Sequence, residues 1–284
     1  MKIEQLIVND KEVCSFSEAV NIKNDRPLFE IVRKGETILL VNDEPISVVW
    51  HDDGSSSGHF YRLNGITIDE NIRRDLNRFE SIIQENVISD KDLYFLFDIY
   101  KPLLKSGTYR FFYTPSHSFE VINNCYSTRK LRGYTLVLPE RNKNARPSLY
   151  LSEGIFMFTQ SLETINEERV EFYKEQILAG KHSTIITLGM QPADESIYDI
   201  HSQFVDAYPQ FIIDGHHKAK AYQAINQANR SQGYPYKILV PSIFSIVKIP
   251  TEKEELTKDK REKLLSKILS KEEISELIEF YNNW

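Results

Sequence analysis

The chain has 284 residues, 41% of them hydrophobic and 12% aromatic, and this composition predicts packed globular structure over most of its length. A formal net charge of −6 argues against a general duplex-DNA binder, although a local basic patch is compatible with it. Cys14 and Cys125 show no metal-ligand spacing, and no apolar leader or membrane-length stretch is present. These features predict a soluble cytoplasmic protein with reduced thiols, and one disulfide is the alternative.

Residues 1 to about 66 have the pattern of β structure. Apolar runs at 28–32 and 37–41 flank a polar turn, and 45–50 is a further strand candidate. The segment 51–59 contains two histidines and two aspartates, which are possible metal ligands. Its Asp, Gly and Ser content is typical of a solvated hairpin loop, and we favour that interpretation.

Helical spacing follows between residues 69 and about 104, where Asp90 is the predicted cap of a second helix. Four more strands are predicted between residues 109 and 159. The most basic segment, 128–146, is either a contact for phosphate or nucleic acid or a solubilising hairpin and linker. We favour the hairpin and linker, and we predict a domain boundary within 141–148.

From residue 165 the pattern predicts a helix, a strand, a long connection, and then a strand, a helix and closing strands. Asn166 is the expected N-cap of the first helix, and Gly180 is its expected end. Buried strands are predicted at 184–188 and 211–213. The last segment, 251–284, is charged and helical, and its broken heptads favour packing helices over a coiled coil.

The motif Asp214-Gly215-His216-His217-Lys218 lies between an apolar strand and an amphipathic helix. Asp214 has the chemistry of an N-cap or of a Mg²⁺ ligand, and a helix N-terminus attracts phosphate. Either histidine could donate to a phosphate or act as a general acid. Lys218 could neutralise a phosphoryl group. The alternative is a purely structural capped turn; we favour a phosphate or nucleotide site and leave catalysis open.

This motif, together with the order of elements around it, resembles the ParB/sulfiredoxin-like superfamily, most closely the branch that contains the free-serine kinases. The resemblance extends over about 161–250. It implies an α+β chain with a C-terminal ParB/sulfiredoxin-like α/β domain at 146–250. A mixed, strand-rich domain of unknown role at 1–145 would precede it, and a helical tail at 251–284 would follow.

The resemblance also implies functional residues. In the free-serine kinases the motif aspartate helps to hold a magnesium nucleotide, and a glutamate upstream of the first helix is the base. Glu163 has that position, so the resemblance implies Glu163 and Asp214 as catalytic residues, and the chemistry of the motif adds His216 and His217 as candidates. Gly215, both histidines and Lys218 are the implied phosphate or nucleotide ligands, and Asp214 is the implied ligand of Mg²⁺. The nucleotide would be ATP, ADP or CTP.

Three features of the chain depart from the family. The motif lacks the cysteine that sulfiredoxin chemistry needs, and Lys218 replaces the usual arginine and cannot bind phosphate through a bidentate fork. The residues after Pro250 are too few for the helix-turn-helix and dimerisation regions of partition proteins.

Two hypotheses of different class follow. The first is a Mg²⁺-dependent phosphotransferase or nucleotide hydrolase that acts on a small molecule. The second is a non-catalytic module that responds to nucleotides or associates with nucleic acid, with 128–146 as its contact surface. A ParB-like nuclease is a weaker third option. A membrane partner is not expected, and the oligomeric state is open.

Overall fold

The structure, a computed structural model, describes residues 3–8, 11–16, 19–34, 36–52, 56–62, 69–85, 89–115, 127–131, 134–138, 155–159, 165–181, 183–190, 209–231, 239, 241–250, 257–267 and 271. Within these ranges the chain forms both helices and strands, which confirms the predicted mixed α+β class. The ParB-like identity of the C-terminal part stays a prediction.

In chain order, the strands are β1 (Ile3–Val8), β2 (Lys11–Phe16), β3 (Val20–Ile22), β4 (Phe29–Lys34), β5 (Glu36–Val41), β6 (Glu44–Asp52), β7 (Ser56–Arg62), β8 (Gly107–Pro115), β9 (Ser127–Leu131), β10 (Tyr134–Leu138), β11 (Ile155–Phe158), β12 (Thr184–Met190), β13 (Pro209–Asp214) and β14 (Ser242–Ile249). The helices are α1 (Glu70–Glu85), α2 (Asp90–Tyr100), α3 (Glu167–Leu178), α4 (His216–Ser231) and α5 (Lys258–Ser266), with a 3₁₀ turn at Lys101–Leu103.

The first sheet contains strands from both halves of the chain. Its order is β1-β2-β8-β14-β12-β13-β11, with β3 also paired to β8. β14 pairs parallel with β12 and antiparallel with β8, so hydrogen bonds cross from the first half to the second. Residues 139–154, where we expect the boundary, lie outside the described ranges. The division into 1–145, 146–250 and 251–284 therefore stays a prediction.

The second sheet is antiparallel throughout and has the order β4-β5-β6-β7-β10-β9. The segment 51–59 belongs to the β6–β7 hairpin, where His51 pairs with Ser57 and Val49 pairs with His59. A hairpin is therefore present, but residues 51–52 and 56–59 belong to its strands and not to the predicted loop. Residues 53–55 at its tip lie outside the described ranges. The basic segment contributes backbone to β9 and β10, and its side chains lie outside what the structure describes.

At β12 the first sheet is covered on both faces, and successive side chains of this strand point to opposite sides. Ile186 and Leu188 pack in a core that also contains side chains of α1, α2 and the second sheet. Ile185 of the same strand packs with α3 and α4 on the opposite face. β12 is consequently buried along its whole length, as predicted for 184–188. The C-terminal end of β13 lies between these two helical layers.

Helix ends follow local chemistry. Asn166 caps α3 by accepting a hydrogen bond from the Arg169 N–H at 3.0 Å, and Gly180 follows the helix with a φ of +84°, so both predictions are confirmed. The predicted cap at Asp90 is wrong by one residue. Ser89 has the extended N-cap conformation, and its N–H donates to the Asp92 carboxylate at 2.9 Å.

The C-terminal tail begins with α5, which buries Leu264 and Leu265. Lys267, directly after it, lies 2.9 Å from the Glu44 carboxylate at the start of β6. These contacts agree with a packing helix. Of the second helix expected in the tail, only Lys271 lies within the described ranges, and it is helical. In the part of the chain that the structure describes, no helix combines the length and apolarity needed to cross a membrane.

Candidate functional site

The motif forms a tight turn from strand to helix. β13 ends at Asp214, which still pairs with Ile186, and α4 begins at His216. Gly215 between them has a φ of +96°, which a residue with a side chain rarely adopts. A Cβ there would also come within 3.3 Å of the Ile185 Cα. The chain therefore needs glycine at this point of the turn.

The helix cap differs from our expectation. The Ala219 N–H donates to the Gly215 carbonyl at 2.8 Å, the first i to i−4 bond at this end of α4. Gly215 thus occupies the N-cap position, and the prediction that Asp214 is the N-cap is wrong by one residue. The reason is that β-pairing holds Asp214 in the strand. Its carboxylate is therefore positioned beside the helix mouth, where a ligand could reach it.

A cavity of about 100 Å³ opens at this turn. Its lining comes from α1 (Arg73, Leu76, Asn77, Glu80), from α3 (Arg169, Tyr173) and from the turn itself (Ile213 to Lys218). All five motif residues thus border one pocket. The two other helices approach it from opposite sides of the sheet.

Lys218 is held by internal partners. Its side chain is only 6% exposed, and its Nζ donates to the Thr184 carbonyl at 3.0 Å and contacts the Glu80 carboxylate. The Asp214 carboxylate lies further away, at 3.4 Å from the same nitrogen. An ammonium has three protons, and these three acceptors match them. Burial lowers the pKa of Lys218 to about 7, while the two carboxylates beside it favour the charged form.

Among the described residues, Asp214 is one of two carboxyl groups, with Glu80, that line the cavity. Its side chain is 26% exposed, and burial raises its pKa to about 6. Arg169, the Gly215 N–H and Arg73 act in the opposite direction because each stabilises the carboxylate. A carboxyl that is partly protonated near neutral pH can accept or donate a proton beside a bound ligand.

His216 anchors α4 to the sheet. Its ring is buried, and its Nε2 accepts a hydrogen bond from the Thr159 N–H at 3.2 Å, directly after β11. Burial lowers its pKa to about 3, so the ring is neutral at pH 7, and it also bonds to the Ile212 backbone. A general acid at neutral pH needs an imidazolium, which burial disfavours. The predicted catalytic and phosphate-binding roles of His216 stay predictions, and the geometry favours anchoring.

His217 faces the cavity and is half-buried. Its Nε2 accepts from the Asn166 N–H at 3.2 Å, which places the proton of the neutral ring on Nδ1. Burial, followed by the nearby positive charge of Arg169, lowers the pKa of His217 to about 4. A neutral ring with a donor at Nδ1 suits hydrogen bonding to an anion.

Two arginines at the site were missed by the sequence analysis. Arg73 lies on α1 and Arg169 on α3, and both line the cavity. Arg73 is half-exposed and makes one surface pair, with Nη1 3.3 Å from the Glu70 carboxylate. The sequence does contain a pattern that points to Arg73. Arg73, Asn77 and Glu80 repeat at helical spacing and form one polar stripe along α1. Helical spacing alone does not indicate which element that stripe of α1 faces.

The implied base and the implied Mg²⁺ site are the two remaining predictions. Glu163, the implied base, lies outside the described residues and stays a prediction. For Mg²⁺, the described pocket residues offer the carboxylates of Asp214 and Glu80, but the Lys218 ammonium contacts both. A metal would have to displace that ammonium, so this donor set does not fit a resident Mg²⁺. In the described ranges, no group of three or more His, Cys, Asp or Glu side chains is arranged to hold a metal ion.

The fold and this pocket define an α+β chain with an arginine-lined cavity at a strand-to-helix turn. No family model, no curated protein and no solved structure matches the chain. The resemblance to the ParB/sulfiredoxin-like superfamily therefore remains a hypothesis that depends on the motif and on the order of elements around it.

Proposed function

We propose that the chain binds a nucleotide or a phosphorylated small molecule by its phosphate at the β13–α4 turn. One observation supports this most strongly: Arg73, Arg169 and His217, from three different helices, line the same cavity at the N-terminus of α4. Guanidinium groups bind phosphate oxygens through paired N–H donors, and a helix N-terminus adds backbone donors and a favourable dipole.

The cavity has room for a phosphate group, since its volume of about 100 Å³ accommodates several water molecules. In this proposal the organic part of the ligand extends towards the exposed residues Arg73 and Asn77 on α1. Mg²⁺, in this proposal, arrives with a nucleotide as its counter-ion.

A second candidate is phosphoryl transfer to a hydroxyl group or to water. It is favoured by Asp214, whose raised pKa suits a proton acceptor beside the cavity. The acceptor oxygen forms a bond to the terminal phosphorus while the bond to the leaving nucleoside diphosphate breaks, and Asp214 takes the proton of the acceptor. If the ligand binds without turnover, the non-catalytic nucleotide-responsive module is the better description.

The test is calorimetric titration of the purified chain with sulfate, inorganic phosphate, ATP, ADP and CTP, with and without Mg²⁺. Arg169→Ala should weaken anion binding by about tenfold, because it removes charged hydrogen bonds to the ligand. Arg73→Ala should do the same to a smaller extent. Arg74→Ala is the matched control, since Arg74 is an exposed neighbour on α1 that does not line the cavity.

Three outcomes are informative. Failure of every anion to bind contradicts the proposed function, as does equal binding by wild type and both arginine variants. Release of phosphate or transfer of the terminal phosphate that Asp214→Asn abolishes supports the catalytic candidate. The nucleic-acid alternative stays a prediction, because the side chains of 128–146 lie outside the described residues.

A further inference from the structure

The positive charge of Lys218, which the motif brings to the cavity, is already balanced by the Glu80 carboxylate. Glu80 of α1 is 13% exposed at its side chain, and its carboxylate contacts the 6% exposed ammonium of Lys218. The Thr184 carbonyl accepts from the same ammonium at 3.0 Å. These partners come from α1 and β12, two elements distant in sequence from α4, which carries Lys218. The ammonium is thereby fixed at the base of the cavity.

Glu80 also brings a negative charge to a pocket whose other features suit an anion. It lines the same cavity as Arg73 and Arg169. A carboxylate beside a phosphate weakens binding of that phosphate when the two are poorly solvated, because like charges repel. Glu80 therefore acts on an entering anion in two ways: it repels the anion directly, and it occupies the position on Lys218 that a phosphate oxygen would take.

We propose that Glu80 is a positioning residue that holds Lys218 away from the ligand and so sets the anion affinity of the site. This inference rests on the proposed anion binding. It assigns contact with the phosphate to Arg73, Arg169 and His217, while Lys218 supports the turn. It also gives the first half of the chain a role in the site, since α1 supplies the residue that limits affinity.

A merely structural role for Glu80 predicts weaker binding when it is changed, whereas this proposal predicts tighter binding. Glu80→Gln should bind sulfate about tenfold more tightly than wild type, because a repulsive charge is lost and Lys218 becomes available. Asp75→Asn is the matched control, since Asp75 also lies on α1 but not at the cavity. It should change sulfate affinity by less than about twofold.

A second comparison tests the proposal if Glu80→Gln folds poorly because Lys218 has lost its partner. Lys218→Met leaves Glu80 free to repel sulfate, while the double variant Glu80→Gln/Lys218→Met removes both buried charges together. The double variant should bind sulfate at least about tenfold more tightly than Lys218→Met, and within about twofold of wild type. Circular dichroism at the temperature of the titration confirms that each variant is folded.

The outcomes separate the two proposals. If neither wild type nor Glu80→Gln binds sulfate, inorganic phosphate or a nucleotide, the proposed function fails. If wild type binds sulfate but folded Glu80→Gln binds it equally or more weakly, only the inference about Glu80 is overturned. Equal sulfate affinity of Lys218→Met and the double variant at every pH from 7 to about 9 also overturns it, since an unpaired buried Glu80 is ionised only towards the upper end of that range. Tighter binding in both comparisons supports it.

Discussion

The motif at the β13–α4 turn has two groups of side chains with different surroundings. His216 and Lys218 point into the protein. His216 bonds to Thr159, and Lys218 bonds to the Thr184 carbonyl and to Glu80. Asp214 and His217 remain partly exposed and border the cavity. Adjacent residues of one motif thus divide between holding the turn in place and meeting a ligand.

This difference limits what the motif alone reveals about chemistry. Two histidines in sequence look equivalent, yet the His216 ring is buried and bonded to Thr159, whereas the half-buried His217 ring borders the cavity. Lys218 would be assigned to phosphate from the sequence but is neutralised by Glu80. Substitutions in the inner pair should therefore reduce stability, and substitutions in the outer pair should alter ligand binding.

The largest expected effect is that of Lys218→Met on stability. The substitution leaves the Glu80 carboxylate buried without its cation, and breaking a buried pair in this way costs about 3–5 kcal/mol. Urea unfolding should show this loss in the free energy of unfolding. Lys220→Met, a partly exposed lysine two residues further along α4, serves as the control and should change it little. A loss below about 1 kcal/mol for Lys218→Met would place Lys218 among the ligand-facing residues.

The second effect is that of His216→Ala. It removes a buried ring and leaves the Thr159 N–H without its acceptor, which should cost about 2–3 kcal/mol at pH 7.5. The folded-state pKa of His216 is depressed, so its contribution is present above the unfolded value of about 6.5 and is lost as pH falls towards 3. The gap between wild type and variant should narrow from pH 7.5 to pH 4.5, as followed by thermal unfolding. A constant gap contradicts the assigned neutral state.

Much of the local structure around the site follows from sequence patterns. The apolar run 184–188 predicts a buried strand, and Asn166 predicts the start of α3, because both depend on residues close in sequence. The location of the motif at a strand-to-helix turn follows in the same way. Side-chain propensity predicts Asp214 as the N-cap because aspartate favours that position, but β-pairing with Ile186 keeps Asp214 in the strand. The positive φ of Gly215 decides the point where α4 begins.

The contacts that complete the cavity could not be predicted. Helical periodicity groups Arg73, Asn77 and Glu80 on one stripe of α1, but it does not say which element that stripe will face. The answer depends on how α1 packs against the shared sheet, which is a property of long-range pairing between the two halves of the chain. For this reason the partner of Lys218 is visible only in the folded structure.

The third effect, that of Asp214→Asn, should depend on pH. Burial raises the folded-state pKa of Asp214 from 3.8 to about 6, a shift equivalent to about 3 kcal/mol. A raised carboxyl pKa stabilises the fold below the unfolded value, and that contribution is lost as pH rises through 6. The asparagine avoids this loss but gives up the Lys218 contact, so it should be about 1–2 kcal/mol more stable than wild type at pH 8. At pH 4 urea unfolding should show no such gain, and an equal gain at both pH values would contradict the raised pKa.

The smallest effect on stability should come from His217→Ala, the outer member of the histidine pair. The variant exposes the Asn166 N–H to water, which can replace the lost acceptor, so the free energy of unfolding should change by less than about 1 kcal/mol. Sulfate affinity should nevertheless fall about threefold to tenfold, because a hydrogen-bonding side chain of the cavity lining is lost. His217→Asn, whose side-chain amide retains a donor, should recover part of that affinity in the same calorimetric titration. If His217→Ala destabilises the fold as strongly as His216→Ala and leaves sulfate affinity unchanged, the division of the motif into inner and outer residues is wrong.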